Sequence, residues 1–251
     1  MANIPKKVVD RFKKEVPRFK RILKKAMDRD VNESDTVTIV TDVLAAVFGY
    51  DKYDEVTSEQ AIRGTYCDLA LQIDGKIKYL IEVKAIGLDL KENHLRQALN
   101  YGANQGVPWV VLTNGRLWEI HRIRFEKPIS AELVCVCDFL ETQPSKTDDQ
   151  ARLFLLCREG ISKAAIEEYH GYVQVVNRMV LAAIIQTDPL ISVMRRELRR
   201  LSPGLKVTPD DVARLLPEVL KRDVLDGDEA KKARQKVQRA AKAALRKKAT
   251  S

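Results

Sequence analysis

The run Lys76-Ile77-Lys78-Tyr79-Leu80-Ile81-Glu82-Val83-Lys84 decides how this chain is read. Its character alternates, and side chains two apart on a strand share one face of a sheet, so Glu82 and Lys84 point the same way. The preceding run, Thr65 to Ile73, also reads as a strand, with Asp74-Gly75 as the hairpin signal between the two. Asp68 then lies on the neighbouring strand, and register decides whether it meets Glu82. A plain two-residue loop pairs Ile73 with Lys76, sets Asp68 across from Ile81 and turns it away. A three-residue loop with Gly75 left-handed, or a bulge, moves the pairing by one and brings Asp68 and Glu82 onto one face. The shifted register is the expectation.

Two acids and a lysine on one surface suit phosphodiester hydrolysis. Hard oxygen ligands hold Mg²⁺ octahedrally and leave positions open for water and phosphate. Asp68 and Glu82 are the expected ligands, with the backbone carbonyl of Val83 as a third oxygen. Lys84 is expected to position the attacking water or to offset charge developing on the phosphorane. The plainer alternative is that these are solvated residues of an exposed strand, since D…ExK occurs by chance in many proteins. Leu80-Ile81-Glu82-Val83-Lys84 weighs against it, because charges inside an apolar central strand cost several kcal/mol unless they coordinate something. Downstream, His94 to Tyr101 reads as a helix that sets Gln97 and Tyr101 one turn apart on a single face, suited to lining the site and contacting DNA.

These residues resemble the PD-(D/E)xK nuclease superfamily, in particular the N-terminal nuclease module of type I restriction motor subunits and small proteins predicted to be type IV restriction endonucleases. The resemblance covers roughly residues 30–140. It rests on Glu33 in Asn32-Glu33-Ser34-Asp35-Thr36, Asp68, Glu82 with Lys84, Gln97 with Tyr101, and Leu112-Thr113-Asn114-Gly115. Tyr66-Cys67 precedes Asp68 where the family motif has a proline. The resemblance implies a restriction-endonuclease-like core, Mg²⁺ (or Mn²⁺) as cofactor and DNA as substrate. It also implies catalytic roles for Asp68, Glu82, Lys84, Gln97 and Tyr101, and Glu33 as a further metal ligand, with Asp35 and Asp42 as nearby alternatives to Glu33.

Asn114-Gly115 also reads without any family. Val107 to Leu112 and Leu117 to Arg122 are strand-like, and Asn-Gly between them favours a type I′ turn with positive φ at both positions. Trp109 and Trp118 are expected to pack on the sheet rather than stack on bases.

With 251 residues and 45% hydrophobic content the chain is long enough for a buried core. No run of about 18 apolar residues exists to span a bilayer, and the basic N-terminus has no apolar h-region, so a cytoplasmic location is expected. Cys67, Cys135, Cys137 and Cys157 include no C-x-x-C, and His94, His121 and His170 are scattered. Buried free thiols are therefore expected, not a zinc site or disulfide framework.

Charge is distributed unevenly. Residues 230–251 hold nine Lys/Arg and no acid, which equals the whole chain's net +9. Residues 1–29 hold eleven Lys/Arg against three acids, so residues 30–229 are net acidic by eight. Basic ends around an acidic middle suit arms that neutralise phosphates beside a core carrying metal ligands, and such binding weakens steeply with salt. Solvated helices with no partner are the competing reading of both ends.

The expected organisation is α/β: basic N-terminal helices over 1–29, with Pro17 marking a kink or a second helix, then a nuclease-like core over 30–141 with a mixed central sheet flanked by helices. A linker follows at 142–148, then an all-helical domain over 149–226 and a basic tail over 227–251 whose apolar face is thin. Within the core, Thr36 to Phe48 reads as a helix stopped by Gly49. Asp188-Pro189 and Thr208-Pro209 each place a capping residue before a proline at the first helical position. No G-x-x-x-x-G-K-[ST] occurs, so any motor would be a separate subunit of a restriction or defence assembly. Cleavage of both strands of a duplex would suggest a homodimer. The functional expectation is a Mg²⁺-dependent DNA endonuclease of restriction or antiviral defence type. The rival is a catalytically inactive nuclease-fold subunit that binds DNA or scaffolds a defence complex, and RNA cleavage is a third reading.

Overall fold

The computed structural model describes residues 3–58 and 67–249. The chain divides into two compact units, Met1–His170 and Gly171–Ser251. In the first, six strands form one sheet in sequence order: β1 (Val56–Ser58), β2 (Leu69–Ile73), β3 (Lys76–Val83), β4 (Trp109–Thr113), β5 (Leu117–Arg124) and β6 (Ser130–Asp138). The β3–β4 pair is parallel and the others are antiparallel, so the sheet is mixed. Parallel neighbours need a crossover. That crossover is α3 (Arg96–Gln105), entered through a short 3₁₀ turn and ended by Gly106 at φ 68°.

Alternation along β3 sends its side chains into two apolar layers. Tyr79, Ile81 and Val83 face α1 (Lys6–Asp28) and α2 (Glu33–Ala46), with α4 (Thr147–Leu155), α5 (Arg158–Ser162) and α6 (Ala165–Val173) completing that layer. Leu80 faces α3, together with Ala70, Val110, Leu112 and Tyr101. Glu82, two residues beyond Leu80, emerges on the α3 side.

The leading helices expected over 1–29 are a single helix, with Pro17 inside α1. Val8, Phe12, Val16, Phe19 and Leu23 bury one stripe while lysines and arginines coat the other. Continuous packing along that stripe holds the helix together past the bond Pro17 cannot make. α2 begins at Glu33, capped by the Asn32 side chain, and ends at Ala46, two residues before Phe48. Gly49 follows at φ 83°, where Arg11 fills the space a side chain would need.

The expected linker at 142–148 lies inside the first unit. α4 starts at Thr147, and Leu153, Phe154, Leu155 and Leu156 join the main core. Two buried tyrosines explain the attachment: Tyr79 donates its hydroxyl to the carbonyl of Leu155 at 3.0 Å and Tyr50 to that of Leu156 at 2.8 Å, satisfying C-terminal carbonyls of α4.

The second unit is helical: α7 (Arg178–Ile185), α8 (Asp188–Leu201), α9 (Pro209–Val219), α10 (Arg222–Leu225) and α11 (Asp228–Ala249). Thr208 caps α9 in a reciprocal box with Asp211. At α8 the cap position is Thr187, which puts Asp188 inside the helix and Pro189 one place later than expected. Among the described residues no helix is long and apolar enough to cross a membrane.

Candidate active site

The β2–β3 hairpin sets the site. Asp74 and Gly75 turn it with φ of 52° and 70°, and Ile73 pairs with Lys76, as a two-residue loop requires. That start alone would turn Asp68 away from Glu82. A bulge intervenes: Gln72 pairs with Ile77 but Leu71 pairs with Tyr79, leaving Lys78 as the extra residue. Pairing then runs to Leu69 opposite Ile81, which brings Asp68 beside Glu82. The register shifts by one, and the bulge supplies the shift while the loop stays short. Thr65 and Tyr66, expected in the same strand as Asp68, lie outside the described residues.

Asp68 is half-buried and its Oδ2 accepts the Val83 N–H at 2.7 Å, across the gap between the two strands. Glu82 is buried, 3% exposed, and its Oε1 lies 2.9 Å from Lys84 Nζ. The Lys84 ammonium also lies 3.5 Å from Oε2 of Glu33, while its backbone N–H donates to the Thr113 carbonyl at 2.8 Å. Glu33 is the first helical residue of α2, where the helix dipole favours a carboxylate. Of the three acids considered on this helix, Glu33 is the one that reaches the site; Asp42 pairs with Lys52 at 2.8 Å.

Burial pushes the Glu82 carboxyl up to about 7; Lys84 pulls it down and Asp68 pushes it further up. Lys84 ends raised, since its hydrogen bond and charge contact with Glu82, helped by Glu33 and Asp68, outweigh its desolvation. Among the described residues, the Lys84 ammonium lies within reach of two carboxylates, those of Glu82 and Glu33. Among the described residues no three His, Cys, Asp or Glu side chains form a ready-made cage for a metal. The donor set still fits a hard divalent cation, because two carboxylates on adjoining strands repel each other and one is buried.

Gln97 and Tyr101 differ in their surroundings. Gln97 is exposed on the first turn of α3, whereas Tyr101 is fully buried in the apolar layer with Leu80 and Leu112. Among the described residues its hydroxyl meets no hydrogen-bond partner, and burial followed by the neighbouring Cys67 raises its pKa. Cys67, where the motif has a proline, donates its thiol to the Ile81 carbonyl at 3.1 Å. Burial first, then Glu82 and Asp68, push that thiol up to about 12, so it stays protonated and inert.

Asn114 carries a role that its turn signal did not disclose. Its φ is not positive; only Gly115, at 81°, is left-handed. The side chain makes the turn instead, its Oδ1 accepting the N–H groups of Arg116 at 3.1 Å and Leu117 at 2.8 Å. Its amide nitrogen donates to the Leu88 carbonyl at 2.9 Å, tying the segment after Lys84 to the β4–β5 turn. Only the Asn-Gly pair was legible beforehand; the tie to Leu88 spans separate parts of the chain. Trp109 and Trp118 are buried against the sheet, as expected, and all four cysteines are free and buried. No family model matches this chain, and no curated protein or solved structure matches it.

Proposed function

We propose that this protein is a Mg²⁺- or Mn²⁺-dependent nuclease of the PD-(D/E)xK type that hydrolyses DNA phosphodiester bonds in restriction-type defence. The observation that carries the reading is the bulge-shifted register, which gathers Asp68, Glu82 and Lys84 at adjoining strand ends. Asp68 and Glu82 would hold the cation, with the Val83 carbonyl as a further oxygen. The cation would supply Lewis-acid polarisation of a phosphoryl oxygen and a lowered pKa for bound water. Lys84 places a fixed positive charge where negative charge builds on phosphorus, and its raised pKa keeps it protonated. Glu33 bears on Lys84 and so helps set the ammonium's position, a different task from the metal ligation implied by resemblance. The Val83 N–H bond orients the Asp68 carboxylate.

Incubation of supercoiled plasmid with the full chain and Mg²⁺ or Mn²⁺ tests this, with Glu82→Ala, Lys84→Ala and Asp68→Asn beside the wild type. Cleavage by the wild type that falls at least about 10²-fold in each variant is expected, the usual scale for losing a group that stabilises the transition state. Asparagine keeps an acceptor for the Val83 N–H, so its loss of cleavage would report charge rather than folding. DNA binding without cleavage by all four proteins would favour a non-cleaving scaffold, and cleavage confined to RNA would replace the substrate.

A further inference from the structure

The division of the chain redistributes its charge. Residues 1–170 hold 26 Lys/Arg against 26 Asp/Glu, whereas residues 171–251 hold 18 against 9 and carry the entire +9. Within the first unit the basic face of α1 is partly answered locally, since Glu15 pairs with Arg18 and Lys14, and Glu159 with Arg11. In the second, Glu197 pairs with Arg200 and Arg196 of α8. In the last helix Lys231 pairs with Asp228, and the Lys236 ammonium donates to the Gln174 carbonyl at 2.7 Å.

α11 packs on α7 along its first half, where Ala233 and Val237 meet Val180, Ala183 and Ile184. From Gln238 to Ala244 every residue is exposed, so this length of helix has no packed face. A helix with no packed face draws little stability from tertiary contacts and calls for something to cover it. Lys232, Arg239 and Lys242 are exposed and form no ion pair among the described residues. They spread over 10 residues, which at helical rise is about 15 Å, the length of roughly four phosphates along one DNA strand. An anionic membrane is a poor match, because the exposed residues around these cations include Ala240, Ala241, Ala243 and Ala244, and α11 holds no Trp or Phe to enter a bilayer.

We infer that α11 is a backbone-tracking arm that binds duplex DNA through its phosphates and anchors the substrate independently of the carboxylate site. The inference shares the DNA reading proposed for that site, yet it requires no cleavage. Binding of the full chain to a fluorescent DNA duplex in EDTA, followed between about 50 and 200 mM salt, tests it without hydrolysis. The variant Lys232→Gln/Arg239→Gln/Lys242→Gln preserves helix propensity and touches no buried residue. It should bind about tenfold more weakly at the low end of that range and lower the log–log salt slope by about 2 to 3, one phosphate per cation lost. Lys232→Arg/Lys242→Arg should bind as the wild type does. Unchanged affinity and slope in the Gln variant would overturn the inference, as would tighter binding to duplex RNA or to phosphatidylserine vesicles than to duplex DNA. Cleavage lost in Lys84→Ala with duplex binding intact would separate the two sites; an inactive wild type that still binds through α11 would sink only the catalytic reading.

Discussion

Glu82 dominates the electrostatics of the cluster, because it is buried and its carboxyl is raised to about 7. Burial moves its carboxyl from the ordinary value near 4.5 to about 7, so the folded chain holds this proton more tightly than the unfolded chain does. The sign follows: Glu82 carries no penalty below pH 4.5, and stability is lost as pH rises from there through about 7. Glu82→Gln keeps an acceptor for Lys84 and removes the charge. In EDTA it should be more stable than the wild type at pH 8 by on the order of 2 kcal/mol and no more stable at pH 4, read from urea unfolding at both values. Equal gains at the two pH values would mean that ionisation of Glu82 is not the cause. The shared face of Glu82 and Lys84 was legible in the sequence because residue type and period-two spacing are local properties. The burial of Tyr101 was not, since the face a helix presents to a sheet depends on where that helix docks.

At the scale of elements, a hairpin and two helix ends set the geometry. The Asp74-Gly75 turn could be read from residue preference alone, yet the same turn without a bulge would have separated Asp68 from Glu82. The bulge at Lys78 follows from packing. It lets Leu69, Leu71, Tyr79 and Ile81 share one apolar layer while Ala70 and Leu80 share the other. Gly49 shows a similar dependence. Its φ of 83° suits glycine, and a Cβ there would come within 2.6 Å of the Arg11 guanidinium. That guanidinium donates to the Val47 and Phe48 carbonyls at the end of α2 and pairs with Glu159 at 2.8 Å. Gly49→Ala should therefore lower stability by about 2 to 3 kcal/mol, combining backbone strain with a disrupted cap, as measured by chemical denaturation. A change within about 0.5 kcal/mol would show that Arg11 moves aside freely.

Across the whole molecule, the boundary between units falls at residue 170, later than the polar run 142–148 suggested. Thr142-Gln143-Pro144-Ser145 has linker composition, but the helices after it supply Leu153, Phe154, Cys157 and Ile166 to the main core. A chain ending after residue 146 should fail to give a cooperative unfolding transition, because Tyr50 and Tyr79 would lose the carbonyls they bind and the core its covering layer. A chain ending after Val173, which retains α6, should keep one. Circular dichroism through a thermal ramp distinguishes these outcomes, and cooperative unfolding of the shorter chain would return the boundary to the polar run.

The sequence by itself determined the α/β pattern, the Asp-Gly turn, the amphipathic character of the leading helical segment and the placing of Glu82 and Lys84 on one face, because propensity and periodicity act over a few residues. Only the tertiary structure decided that Lys78 bulges, that Glu33 and not Asp42 reaches Lys84, that Tyr101 faces the core, and that α4 to α6 belong to the sheet. Each of these depends on which distant segments bury the same apolar surface together, and no local window of the chain contains that competition.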